Sequence, residues 1–214
     1  MQLELLLLIP AGLAVLFIHE MGHLLAARRC GVPVARIAIG LGPDVFSVID
    51  PSGTRWSLAA LPFGASCTIG SPSRDRHAVK SAGARHAHGK ALSRPQLGRD
   101  AFICAAGPAF NLVLATAIYL ATILYFDEAR LWDLDGVKTS AALPMMISWF
   151  SLAVGLFNLL PLPPLDGGRL LLIGIQAWRG KPISSVLERK LAAIGHSAVI
   201  LGAVVASIAL LVYL

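Results

Sequence analysis

The sequence predicts a polytopic α-helical membrane protein, with about four transmembrane helices and a small membrane-associated β-hairpin or sheet between the first and the second. Composition is the first reason: 56% of the 214 residues are hydrophobic and only 14% are charged, whereas soluble domains carry about 25% charged residues. The mean hydropathy of +0.72 agrees. The second reason is the alternation of long apolar runs with short polar stretches. The third is charge asymmetry. Eleven of the 18 Lys and Arg lie between Arg28 and Arg99, the pattern of a cytoplasmic face rather than of a nucleic-acid site. No aromatic-basic interleaving accompanies them, which excludes RNA or DNA as the expected partner. The partner expected from composition is the lipid bilayer.

The elements follow in order. A first helix is expected over residues 3–29, about 40 Å at 1.5 Å per residue, enough to cross with tilt. It opens Met1-Gln2-Leu3-Glu4 with no basic stretch ahead of a long apolar run, so it reads as a retained span rather than a cleaved signal peptide. Its positive flank, Arg28 and Arg29, follows the span and puts the N-terminus outside. Gly31 and Pro33 end it. Over residues 34–69 the helical period gives way to alternation (Arg36, Ala38 and Gly40 against Ile37, Ile39 and Leu41). Asp50-Pro51-Ser52-Gly53 is a turn signature, and Thr54 to Ala60 reads as the returning strand. Residues 58–69 are too apolar for a solvated loop and too broken by Pro62, Gly64 and Gly70 for a spanning helix. They are expected to dip toward the membrane and to pack against protein there, because non-helical backbone in lipid needs such a neighbour.

Residues 71–99 carry seven Lys or Arg against Asp75 and read as a cytoplasmic loop near anionic headgroups; His77, His86 and His88 fall in it as solvated histidines. A second helix is expected over 100–126, containing Gly107, Pro108 and the amide of Asn111, which must find a partner. The short acidic stretch after it, with Asp127, Glu128, Asp133 and Asp135, fits the outer face. A third, broken helix is expected over 141–178. Pro161, Pro163, Pro164, Gly167 and Gly168 cannot stay helical, so the chain should unwind within the membrane and carry Asp166 on the unwound piece. A fourth helix over 191–214 ends outside, with His196 as a polar residue near its cytoplasmic end. The whole, 1–214, is one membrane domain with both termini outside. Cys30, Cys67 and Cys104 form no disulfide or thiolate-cluster spacing and read as small buried apolar residues.

The chemistry-bearing stretch is His19-Glu20-Met21-Gly22-His23, set inside the first apolar run. On a helix His19 and His23 are one turn apart and project from one face, so both imidazoles can reach a single metal ion, while Glu20 points to a neighbouring direction as a base toward water. Packing histidines beside a solvated Glu would read the same, but ionisable groups inside a span mark function. Two His and one carboxylate leave a fourth position for water, the pattern of a catalytic zinc. Asp166 is the natural third ligand, because the other carboxylates lie in loops or at chain ends. Asn158, eight residues earlier, is an uncharged donor able to hold a substrate backbone or an oxyanion.

These residues resemble the site-2 protease family of intramembrane zinc metalloproteases, close to its bacterial anti-sigma-factor-cleaving branch. The likeness runs through His19–His23 with Ala27-Arg28-Arg29-Cys30-Gly31-Val32, Ile39-Gly40-Leu41-Gly42-Pro43, Leu61-Pro62-Phe63-Gly64, Ala106 to Asn111, and Asn158 to Gly168. It implies Zn2+ held by His19, His23 and Asp166, with Glu20 as catalytic base and Asn158 as a substrate or transition-state contact. It also implies a re-entrant hairpin at 58–69 that pairs with an unwound transmembrane substrate. The expected localisation is the cell membrane, with the site toward the cytoplasm. Some sixteen residues between the second and third helices leave no room for a PDZ domain, and no cystathionine-synthase-type domain is expected after the last helix. The competing class is a non-proteolytic zinc-binding membrane protein, whether sensor, transporter or inactive scaffold. A transporter would need a polar path, and the outer halves of the helices are apolar.

Overall fold

The computed structural model describes residues 2–69, 94–125, 142–181, 183–184, 186–188, 190–195 and 197. In order these form α1 (Gln2–Arg29), β1 (Val34–Ile49), β2 (Arg55–Ile69), α2 (Arg94–Tyr125), α3 (Ala142–Asn158) and α4 (Asp166–Arg179). The helix, hairpin, helix, broken-helix order is the one the sequence predicts. Two helices have the length and apolar composition of membrane spans, Ile9–Arg29 and Gln96–Tyr125, and the apolar helix Leu143–Asn158 is shorter. The expected fourth helix lies mostly outside the described residues. So do His196, the loop histidines His77, His86 and His88, and the acidic stretch after the second helix.

Three boundaries differ from expectation. Helix α2 begins at Arg94, not near residue 100. Arg94, Gln96 and Arg99 lie in its opening turns, and hydropathy marks where a helix enters an apolar phase rather than where its hydrogen bonds begin. Strand β2 is continuous from Arg55 to Ile69 and runs through Pro62 and Gly64. The third difference is that Asp166 stands in the first turn of α4 rather than on the unwound piece. The break is confined to residues 159–165, and the positive end of the new helix favours a carboxylate there.

The two strands pair antiparallel. Beside the turn, Ile49 faces Arg55 and Ser47 faces Ser57; at the far end Ile37 faces Cys67 and Arg36 faces Thr68. Arg36, Ile37 and Ala38 also face Arg55, Trp56 and Ser57, so this part of β1 is paired along both edges and the strands fold over through an irregular register between Ile39 and Phe46. The turn closes on Asp50, which accepts from Thr54 N–H (2.9 Å), Trp56 Nε1 (3.2 Å) and Arg28 Nη2 (2.5 Å), tying the turn to the end of α1. Desolvation raises the Asp50 pKa, but these donors outweigh it and hold the carboxyl below the usual carboxylate range.

The core forms where the second half of α1, the start of β1 and α2 meet. Leu24, Ala26, Ala27, Val34, Ile37, Ile103 and Ala106 are buried together, with Met21, Trp56, Cys67 and Ile69 packed against them. The small side chains of α1 and α2 in this cluster let the two backbones approach closely. Phe17 meets Trp56 with ring centroids 6.2 Å apart, fixing the hairpin on α1 next to the histidine pair.

Candidate metal centre

His19 and His23 project from one face of α1 as their spacing dictates, and α4 brings Asp166 to them from the other end of the chain. His19 Nε2 lies 3.0 Å from Asp166 Oδ2, His23 Nε2 lies 3.2 Å from the same oxygen, and the two Nε2 atoms are 3.3 Å apart. Among the described residues these three side chains form a group able to hold a metal ion. Zinc bonds of roughly 2.0–2.1 Å at tetrahedral angles place donors about 3.3 Å from one another. The observed triangle fits that requirement, and its donor set of two imidazoles and one carboxylate fits zinc chemistry. Both histidines are buried, at 6% and 7% exposure, and the Asp166 side chain at 12%.

The other two ring nitrogens are held from behind. His23 Nδ1 donates to the carbonyl of Ile103 at 2.8 Å, which leaves its Nε2 lone pair facing the cluster. His19 Nδ1 lies 3.2 Å from the side-chain amide of Asn111. Both contacts come from α2, whose Gly107 sits directly under the imidazoles: a Cβ there would collide with Nε2 of both His19 and His23. A Cβ on Gly22 would lie 2.5 Å from the carbonyl oxygen of Ala106, so α1 and α2 touch backbone to backbone at the level of the site. On α4, a Cβ on Gly167 would strike the carbonyl of Leu159, which explains why small residues follow Asp166.

Glu20 is buried at 9% exposure beside the cluster and hydrogen-bonds the backbone of Cys67 on β2. A carboxylate so placed is a neighbour of the three donors rather than one of them, the position a proton carrier needs. Of the residues singled out in the sequence, four therefore converge: His19, Glu20, His23 and Asp166. Asn158 does not join them by its amide nitrogen, which donates back to Val154 O at 3.0 Å. It lines a groove of about 380 Å³ with Leu16, Ala153, Val154 and Phe157, between α1 and α3.

Two contributors went unassigned from sequence. Asn111 reads there as a packing amide, yet it reaches His19. Its signal was the Gly107–Asn111 spacing of one turn, which puts both on one face of α2. Cys104 reads as a bland apolar residue, but its Sγ lies 3.8 Å from the Asp166 carbonyl oxygen and 4.0 Å from Oδ1.

Comparison with known proteins gives the chain's family. The profile of Peptidase family M50 matches residues 8–143 and 136–202. A Brucella suis protein provisionally named a zinc metalloprotease is 38% identical over 109 residues, which are 49% of this chain and 29% of that protein. An Agrobacterium fabrum protein with the same provisional name is 36% identical over 107 residues, 48% of this chain and 28% of that one. Metalloprotease MmpA of Caulobacter vibrioides is 30% identical over 128 residues, 54% of this chain and 32% of that protein. The chain thus matches about a third of the length of these curated relatives. Its profile match covers well over half of its residues, and the chain belongs to peptidase family M50, the site-2 protease family.

Proposed function

We propose that this protein is an intramembrane zinc metalloprotease that hydrolyses peptide bonds within or near transmembrane segments of other membrane proteins. The observation that carries the reading is the convergence of His19, His23 and Asp166 with Glu20 buried beside them, inside helices whose outer surfaces are apolar. Leu120, Leu124, Tyr125, Trp149 and Phe150 stand exposed on α2 and α3, a surface that suits lipid and not water. The zinc-metalloprotease names of the relatives support the metal and the reaction class. In this reading the chain spans the membrane about four times with both termini outside, and the site lies toward the cytoplasm.

His19, His23 and Asp166 would hold the ion, which when bound supplies an acidified water and a polarised substrate carbonyl. Glu20 takes the proton released as water attacks and delivers it to the departing amine nitrogen, so one carboxylate serves as base and then as acid. The Cys67 backbone steadies that carboxylate. A substrate helix must open before its carbonyl can be attacked, and an unpaired peptide in lipid costs several kcal/mol. The edge of β2 at residues 65–69, which pairs with β1 on one side and includes the Glu20 contact at Cys67, offers replacement hydrogen bonds by strand addition. Asn158 is assigned a substrate contact in the groove between α1 and α3.

Purified protein in proteoliposomes should cleave a reporter transmembrane peptide, and Glu20→Gln should lower the rate at least 1,000-fold while keeping bound zinc, consistent with the loss of a general base plus its orienting role. Cleavage by Glu20→Gln at the wild-type rate would remove Glu20 from the mechanism. Zinc flux into vesicles without peptide hydrolysis would replace the protease reading with transport.

A further inference from the structure

We propose that Asn111 is a positioning residue for the metal: its side-chain carbonyl oxygen accepts the Nδ1 proton of His19 and so commits His19 Nε2 to the ion. The inference rests on the zinc reading above and adds to it a residue on a different helix from any of the ligands. A neutral imidazole carries one N–H, so a ring that ligates through Nε2 must keep its proton on Nδ1 and give it to an acceptor. His23 meets this condition through the Ile103 carbonyl at 2.8 Å. Among the described residues the partner at His19 Nδ1 is the Asn111 amide at 3.2 Å, with Nδ2 as the facing atom. With Nδ2 donating there, Nδ1 would be the acceptor and the His19 proton would sit on Nε2, pointing at Asp166 and closing that nitrogen to a metal.

The same amide carries the complementary defect. Asn111 Oδ1 is buried without a hydrogen-bond partner among the described residues, in a side chain with 0% exposure. A half-turn of the planar amide exchanges oxygen and nitrogen in place. Oδ1 then accepts from His19 Nδ1–H, which gives the buried oxygen its partner and frees His19 Nε2 for the ion. The rest of the residue is fixed for the task. Its backbone carbonyl accepts from Ser151 Oγ of α3 at 2.9 Å. Gly107, one turn before it, leaves the room in which the rings stand. The Gly107-to-Asn111 stretch of α2 is thus the back wall of the metal site, one residue clearing space and the other setting the tautomer.

The test is zinc affinity of the full-length protein in detergent, measured by competition with a chromophoric chelator. Asn111→Asp keeps an acceptor facing Nδ1 and should bind zinc within threefold of wild type. Asn111→Leu keeps bulk but removes the acceptor and should bind ten- to a hundredfold more weakly, the usual range for losing such a partner. A packing role predicts the reverse order, since Leu fits an apolar interior better than Asp. Leu binding within threefold of wild type, or Asp as weak as Leu, would overturn the assignment. Should the Leu variant fail to melt cooperatively without metal, histidine-selective 15N NMR of the zinc-loaded wild type decides: a protonated His19 Nδ1 supports the assignment and a bare one overturns it. Wild-type protein that takes up no stoichiometric zinc, or His23→Ala protein that binds as tightly as wild type, would instead overturn the metal reading itself.

Discussion

The two ends of the β1–β2 hairpin differ sharply in how they are held. Near α1, Val34, Ala35, Ile37 and Ala38 are buried and Cys67 meets Glu20. From Leu41 to Ile49 every residue is exposed, including Val45, Phe46, Val48 and Ile49. Consecutive residues of a strand face opposite sides, so both faces of this outer half carry apolar side chains that the described residues leave uncovered. Sequence composition hardly separates the two halves; packing does. The inner half is part of the wall that fixes the Glu20 carboxylate, whereas the apolar side chains of the outer half stand exposed among the described residues.

The largest contrast should appear with substitutions under the metal. Gly107→Ala places a methyl group against both imidazole Nε2 atoms, and zinc affinity should fall at least 100-fold, about 3 kcal/mol. Chelator competition measures this directly; a change below threefold would mean that the rings do not rest where the geometry puts them. Phe46→Ser on the outer hairpin should behave oppositely. Phe46 is 65% exposed, so thermal unfolding in detergent should change by no more than about 0.5 kcal/mol, with zinc affinity untouched. A loss of more than about 2 kcal/mol would show that the outer half is covered by something else in the folded protein.

Between these extremes lies the Asp50 turn, whose effect should be modest and should disappear in acid. The folded-state pKa of Asp50 is lowered, so its stabilisation is fully present above the unfolded carboxylate value, near 3.9, and is lost as pH falls through the lower folded value. Asp50→Asn should therefore unfold like wild type at the lowest pH, fall behind it as pH rises through the lowered folded value, and show the full difference from about pH 4 upward. Equal stability of the two proteins at neutral pH would separate the turn from the fold.

How much of this was legible in the sequence depends on whether a signal is local. The His19–His23 pair needs only helical spacing, and the break after Asn158 needs only that Pro161, Pro163 and Pro164 cannot donate backbone hydrogen bonds. Asp166 was found by elimination among carboxylates, because few charges survive in an apolar chain. Its seat in the first turn of α4 was not found, since the glycines beside it read as breakers although they answer to the close approach of Leu159 and Leu162. The early start of α2 was missed because Arg94, Gln96 and Arg99 make the stretch read as polar loop, and helical hydrogen bonding does not follow hydropathy. Asn111 shows the general limit. Spacing tells which residues share a face of α2, but only the tertiary arrangement tells that this face meets His19.

The ligand set of His19, His23 and Asp166 underlies every role proposed for the site. X-ray absorption at the zinc edge of the purified, zinc-loaded protein measures it most directly. Two imidazole nitrogens and a small set of oxygens at about 2.0–2.1 Å are the predicted first shell. A sulfur scatterer at about 2.3 Å would bring Cys104 or Cys67 into coordination and contradict the assignment of His19, His23 and Asp166 as the ligands that the protein supplies.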